Sequence, residues 1–233
     1  MIAAEDLAVR SGPFSLAGIS FEIPAGQCGV LMGKTGAGKT TLLEAICGLR
    51  RIEAGRILLG GRDATRLRPA DRGIGFVPQE GALFSTMTVR EHLAFGPRVC
   101  GWGKAERDAR ADELAANLGI AALLDRKPDG LSGGERQRVA IGRALATRPG
   151  VLCFDEPLSA LDADTRAEIA ALIRRVLGET GATALIITHS REDAASFADR
   201  LFVLGGGALA EEELLKISKP SVDASPVPSK MPK

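Results

Sequence analysis

The sequence predicts an α/β fold built on a mostly parallel core sheet. Three observations point there. Short apolar runs alternate with helical stretches along most of the chain, which is the pattern of a parallel sheet covered on both faces. One such run, Gly29-Val30-Leu31-Met32, leads into Gly33-Lys34-Thr35-Gly36-Ala37-Gly38-Lys39-Thr40, which fits the phosphate-loop template of Gly, four free positions, Gly-Lys and Ser or Thr. Two further runs, Val151-Leu152-Cys153-Phe154 and Ala184-Leu185-Ile186-Ile187, end directly in chemistry-bearing residues, Asp155-Glu156 and Thr188-His189.

In chain order, residues 2–9 and 14–23 read as strands, with Ser11-Gly12-Pro13 turning between them. Pro24-Ala25-Gly26 turns into the strand that feeds the phosphate loop. A helix follows at roughly 39–47 and stops at Gly48. Gly55 to Leu59 reads as a short strand closed by Gly60-Gly61, and Ile74 to Val77 as another, ended by Pro78 with Gln79 opening a loop. From about Thr88 to Leu124 the character becomes helical, with helices at Val89–Phe95 and Lys104–Leu118. A further helix is expected at roughly 134–147. In the helix over 163–177, Ile169, Leu172, Ile173, Val176 and Leu177 share one face. A helix at roughly 191–198, a strand at 201–204 and the turn Gly205-Gly206-Gly207 follow. From about Lys219 the composition falls to Pro, Ser and Lys, and a disordered tail over 217–233 is expected.

Bulk properties narrow the function. With 233 residues and 45% hydrophobic side chains, the chain can bury a sizeable core. Lys and Arg number 30 against 29 Asp and Glu, so there is no overall basic charge for nucleic acid or an anionic membrane. Aromatics are 4% and Tyr is absent, which argues against base-stacking platforms. The N-terminus lacks a signal-peptide pattern and no apolar stretch is long enough to span a bilayer, so a soluble cytoplasmic chain is expected, reaching any membrane through another chain. Cys28, Cys47, Cys100 and Cys153 lack metal spacing and read as buried thiols.

The phosphate loop sets the chemistry. Its glycines let backbone N–H groups converge, the helix N-terminus adds donors and a positive dipole end, Lys39 reaches the β- and γ-phosphates, and the Thr40 hydroxyl ligates Mg²⁺. Asp155 at a strand end can hold Mg²⁺, and Glu156 can take a proton from an attacking water. Gln79 follows a strand and can touch metal and water. His189 sits where the sheet presents its carboxyl ends. Leu131-Ser132-Gly133-Gly134-Glu135 opens a helix and suits a second anion contact, although a plain capped helix start explains it equally. Asp162 is an N-cap candidate.

Taken together in this order, these segments resemble the ATP-binding cassette (ABC) family of transporter ATPases, over roughly residues 2–215. Gly33 to Thr41 is similar to its Walker A loop, Gln79 to the Q-loop, Leu131 to Glu135 to the signature motif, Val151 to Glu156 to Walker B, Ser159 to Asp162 to the D-loop and His189 to the switch histidine. The resemblance implies a P-loop NTPase ABC cassette with an N-terminal antiparallel β subdomain and a helical subdomain inserted at about 85–147, all within a domain spanning 1–216. It also implies a homodimer that sandwiches two ATP molecules with Mg²⁺. Gly33, Lys34, Thr35, Gly36, Ala37, Gly38, Lys39, Thr40 and Thr41 of one chain would face Ser132, Gly133 and Gly134 of the other, with Asp162 beside them. Glu156, His189 and Gln79 would be catalytic, and Thr40, Gln79 and Asp155 would serve the metal.

The segment Val77-Pro78-Gln79 through Leu83-Phe84 and Met87 to Leu93 resembles importers of the maltose, sulfate and molybdate group, which implies a separate membrane permease and a solute-binding protein. A molybdate, tungstate or sulfate-type anion is the expected cargo. Relatives there often carry a C-terminal regulatory β-domain, and the chain length leads us to expect the short form. Cassettes that act as clamps on DNA or the ribosome, and P-loop kinases, are the alternatives. Long coiled coils, zinc modules and tandem cassettes are absent between Thr41 and Leu131, and the signature argues against a kinase. Two departures stand out. The stretch Arg10 to Gly12, where cassettes carry an aromatic for adenine, has none; Phe14 is the only aromatic nearby and is expected in the core rather than at the base. Lys34 replaces the Pro or Ser often found in that loop.

Overall fold

Five parallel strands run through the centre of the molecule and all deliver their carboxyl ends to one edge. In the computed structural model, which describes residues 1–79 and 81–213, these are β3 (Cys28–Gly33), β6 (Ile74–Val77), β7 (Val151–Asp155), β8 (Thr183–Ile187) and β9 (Arg200–Gly205). With β10 (Ala208–Glu212), antiparallel to β9, they form a six-stranded sheet in the order β10-β9-β3-β8-β7-β6. Every residue of β7 and β8 is buried, as expected of strands covered on both faces. Their side chains alternate between two cores. Leu152, Phe154, Ala184 and Ile186 face one cluster, and Val151, Cys153, Leu185 and Ile187 the other.

The second of these cores is closed by a four-stranded antiparallel sheet, β2-β1-β4-β5, made from β1 (Ile2–Ser11), β2 (Phe14–Ile23), β4 (Ile52–Leu59) and β5 (Arg62–Asp63). Between the two sheets lies α1 (Lys39–Cys47), with Leu42, Leu43 and Ile46 fully buried. The other core is covered by α2 (Val89–Val99), α3 (Lys104–Asn117), α4 (Gly133–Leu145) and α5 (Ala163–Thr180), and α6 (Arg191–Phe197) packs beside β3. In α5 the buried face is Ile169, Ala170, Leu172, Ile173 and Val176, with Leu177 packed at its margin.

Several boundaries differ from the sequence reading for local reasons. Helix α2 runs four residues past Phe95 and carries Pro97 in its last turn, where only one i→i−4 hydrogen bond is lost before the helix ends. Strand β4 starts before Gly55, which has φ 88° where β1 is irregular between Glu5 and Ala8. The hairpin strand β10 follows Gly206 and Gly207, both with positive φ, a turn signal that the sequence reading treated as an end. Cys28, Cys47 and Cys153 are buried free thiols as expected, but Cys100, in the turn after α2, is exposed. The expected tail over 217–233 lies outside the described residues. No helix among the described residues is long and apolar enough to cross a membrane.

Candidate functional site

A cleft of about 1280 Å³ opens at the carboxyl edge of the parallel sheet. Gly33 to Thr41 form one wall, after β3. Gln79 after β6, Glu156 after β7 and His189 after β8 reach it from the neighbouring strands. Ligands bind at such an edge because loops from several strands converge there while the backbone behind them is rigid.

The loop's shape follows from its glycines. Gly36 and Gly38 have φ of 81° and 97°, left-handed values that other side chains resist, and Gly38 is the N-cap of α1 without a side-chain partner for the helix amides. Lys39 is 7% exposed and its ammonium donates to the carbonyls of Gly33 at 2.9 Å and Lys34 at 3.1 Å. The cation is therefore already at the centre of the loop. Lys34 is exposed and lines the cleft. We expect Lys39→Ala to weaken nucleotide binding by about 10- to 100-fold, the value of a charge-assisted hydrogen bond to phosphate. A binding titration with a fluorescent nucleotide analogue checks it, and unchanged affinity would contradict the assignment.

Asp155 ends β7 and is 4% exposed. Its Oδ1 has no hydrogen-bond partner among the described residues. Burial pushes its carboxyl above the usual carboxylate range, a shift the Thr40 hydroxyl opposes. An orphaned buried carboxylate oxygen beside a hydroxyl fits the oxygen chemistry of a magnesium ion, whose other ligands are usually phosphate and water. Glu156 has φ 45°, a strained value for a non-glycine residue, and the Ser159 hydroxyl and amide cap its carbonyl at 3.0 and 3.2 Å. The twist aims its carboxylate at His189, whose Nδ1 lies 3.2 Å from Oε2.

The segment holding His189 is clamped from behind. Asp193, nearly buried on α6, accepts from the Thr188 hydroxyl at 3.1 Å and from Arg166 of α5 at 2.6 and 3.1 Å, and the Ser190 amide donates to Thr188 Oγ1. The loop after Gln79 is tied in a similar way. His92, wholly buried on α2, accepts from the Phe84 amide through Nε2 at 2.8 Å and meets the Thr88 carbonyl through Nδ1, and burial pushes its pKa down. Arg143 of α4 donates to the Gly81 and Ala82 carbonyls.

Four of the residues expected at the nucleotide lie away from this cleft. Ser132 caps α4 in a reciprocal capping box with Glu135, at 3.2 and 2.7 Å. Gly133 and Gly134 form the first turn of that helix and pack on the start of α5. A Cβ at Gly134 would lie 2.6 Å from Thr165 Cγ2. Asp162 is the N-cap of α5, and its carboxyl, lowered by that bond, accepts from the Thr165 amide at 3.0 Å. We expect Gly134→Ala to lower stability by about 1–3 kcal/mol through overpacking. Thr165→Ser in the same chain should restore it, a pairing that melting curves of the single and double variants test.

Two cleft-lining side chains that the sequence reading did not assign to the site are Phe14 and Arg191. Phe14, expected in the core, packs partly against it but also lines the cleft, with its ring against Gly38. Its position at the start of β2, just past the Ser11-Gly12-Pro13 turn, was the available signal. Arg191, the first residue of α6, also reaches the cleft.

The sequence and the fold recur in known proteins. The chain matches the family model for ABC transporters over residues 16–159, more than half its length. It is 43% identical over 211 residues to the sulfate/thiosulfate import ATP-binding protein CysA of Mycobacterium tuberculosis, covering 90% of this chain and 60% of that one. It is 46% identical over 198 residues to the molybdate/tungstate import ATP-binding protein WtpC of Thermococcus kodakarensis, covering 85% and 60%. The chain thus spans about 60% of the length of these curated relatives. Among solved structures, the dimeric ATP-binding cassette MJ0796 in a post-hydrolysis state with ADP and phosphate superposes with a TM-score of 0.81 at 29% identity, over 92% of this chain and 99% of that one. The chain belongs to the ABC transporter family, as an ATP-binding cassette.

Proposed function

We propose that this chain hydrolyses ATP as one half of a cassette dimer and powers solute import through a separate membrane permease. The observation that carries the reading is the division of the machinery. The cleft gathers Gly33 to Thr41, Gln79, Glu156 and His189, while Ser132 to Gly134 lie outside it at the start of α4. A second copy would bring its Ser132-Gly133-Gly134 helix tip, with Asp162 alongside, over the γ-phosphate held by the first. ATP would then stabilise the closed pair more than ADP does, which is what lets hydrolysis drive a cycle.

Within the cleft, Lys39 and the loop amides bind the phosphates and neutralise charge that builds up in the transition state. Glu156 takes the proton of the attacking water, and His189 holds the γ-phosphate side of that water. Phe14 offers one ring face to the base. Magnesium, held by Thr40, Asp155 and Gln79, would supply charge neutralisation between the phosphates. Domain limits follow the same reading, with the cassette over 1–216 and the helical part at about 85–147 facing the permease. The chain would sit on the cytoplasmic face of the membrane. The relatives named for sulfate/thiosulfate and molybdate/tungstate import support an oxyanion cargo, delivered by a solute-binding protein.

The test combines turnover and mass. The full chain with MgATP should release phosphate with no other phosphorylated product, and its solution mass should double with ATP bound. Turnover that phosphorylates a small molecule would favour a kinase instead.

A further inference from the structure

At the opposite end of α1 from the nucleotide cleft lies a second cavity, of about 610 Å³, between Gly48, the start of β4 and the 65–72 segment. The helix is nine residues, roughly 14 Å along its axis. Five arginines line this cavity, Arg50, Arg51, Arg66, Arg68 and Arg72, against one carboxylate, Glu53. The chain as a whole is almost neutral at +1, so this is a local concentration of charge.

The ion pairs around the cavity leave part of this charge uncompensated. Glu53 is taken by Arg10 at 2.9 Å, Arg50 pairs with Glu44 and Arg68 with Asp71. Arg51 and Arg66 are exposed and form no ion pair within 4.0 Å among the described residues, with the Asp63 carboxylate farther off on the Arg66 side.

Arg72 is the buried member of the set. It is 8% exposed, and its N–H groups go to backbone carbonyls alone: Ala45 and Ile46 at the end of α1, Leu67 and Thr65. Among the described residues no carboxylate pairs with it, and burial pulls its guanidinium pKa down. A buried cation balanced only by carbonyl dipoles is expensive, and an anion beside it would relieve the cost. The Thr65 hydroxyl also lines the cavity, its oxygen accepting from the Ile57 amide at 3.0 Å and facing the Asp63 carboxylate.

We propose that this cavity is a binding site for a small, multiply charged oxyanion of the sulfate or phosphate type, held by Arg51 and Arg66 above the Arg72 floor. Planar guanidinium forks match the paired oxygens of such anions, and two of them with a buried third give a site for a dianion rather than for chloride. The same chemistry is carried by a free inorganic anion and by a phosphate ester.

The experiment uses the full chain saturated with ADP, so that the phosphate loop does not take up the added anion. Melting temperature and calorimetric titration are followed with sodium sulfate against sodium chloride at equal ionic strength, for the wild type and for Arg51→Ala/Arg66→Ala. Both side chains are exposed, and the variant's own melting curve and ADP affinity verify its fold. We expect sulfate to stabilise the wild type beyond chloride. The variant should lose at least about tenfold in sulfate affinity with ADP affinity unchanged, a difference of one decade. A sulfate response equal in both proteins, or equal to that of chloride, would overturn the site. Because the response is defined by what the arginine substitutions remove, it stands or falls apart from the hydrolysis reading. Arms with inorganic phosphate and glycerol 3-phosphate then assign the source, tighter binding of the first to a free anion and of the second to an ester.

Discussion

Glu156→Gln should bind ATP with little change and lose hydrolysis by about 10²- to 10⁴-fold, the range that a positioned general base contributes. Gln keeps the volume of the side chain and an oxygen to face His189 Nδ1, which lies 3.2 Å from the native Oε2. It cannot take a proton from water. The backbone supports the specificity of the effect, because Glu156 is held at φ 45° with its amide bonded to the Ile187 carbonyl and its carbonyl capped by Ser159. Neither bond involves the substituted carboxylate, so the loop should keep its course. A phosphate-release assay and an ATP titration on the same preparation separate chemistry from binding. Normal turnover would remove Glu156 from its role. The variant also isolates the second half of the reading. With hydrolysis blocked, ATP should hold two copies together, and adding Ser132→Arg should return the mass to that of one chain while leaving ATP binding in place. An ATP-bound pair that tolerates Ser132→Arg would mean that the α4 tip does not close the site.

How far the sequence reveals this depends on the range of the interactions. The strands carrying the site were readable because each is a continuous apolar run ended by a charged or polar residue, as in Phe154-Asp155-Glu156 and Ile187-Thr188-His189, and burial on both faces demands that pattern. The phosphate loop was readable because a left-handed backbone needs Gly36 and Gly38 where they stand. Phe14 was not. It is 24 residues from Gly38, and only the placement of β2 over the loop brings the ring to it. The clamp behind His189 was equally hidden, since Arg166 and Asp193 are 27 residues apart on separate helices and each alone reads as an ordinary surface charge. For Ser132 the local signal was correct and incomplete. Ser-x-x-Glu announces a capping box, and a capping box forms, but its side-chain geometry is satisfied within α4 and carries no information about which surface the tip will face. The arginine cavity was invisible for a related reason, because its charges come from two separate stretches of a chain whose total is near zero.

Asp155→Asn is expected to do two opposite things, and the pair of effects is the strongest check on the magnesium assignment. It should abolish most hydrolysis, and it should make the empty protein more stable. The carboxylate is almost fully buried with Oδ1 unpartnered, so at neutral pH the folded chain carries a desolvated charge that the unfolded chain does not. Removing it should contribute on the order of 1 kcal/mol, about 2–4 °C in a chain of this size. The pH dependence fixes the cause. Because burial raises the carboxyl above its ordinary value, the acid is neutral in both states below that value and no penalty exists. Between the ordinary and the raised value the folded protein keeps the extra proton, and stability falls as pH rises. Above the raised value the penalty is complete. Melting curves of wild type and variant should therefore coincide in acid and separate toward neutrality, with the variant higher. Saturating MgATP should reverse the order, since a cation beside Asp155 turns the buried charge from a cost into a ligand. A gap between the two proteins that ignores pH, or one that MgATP leaves unchanged, would mean that Asp155 is buried for packing and holds no metal.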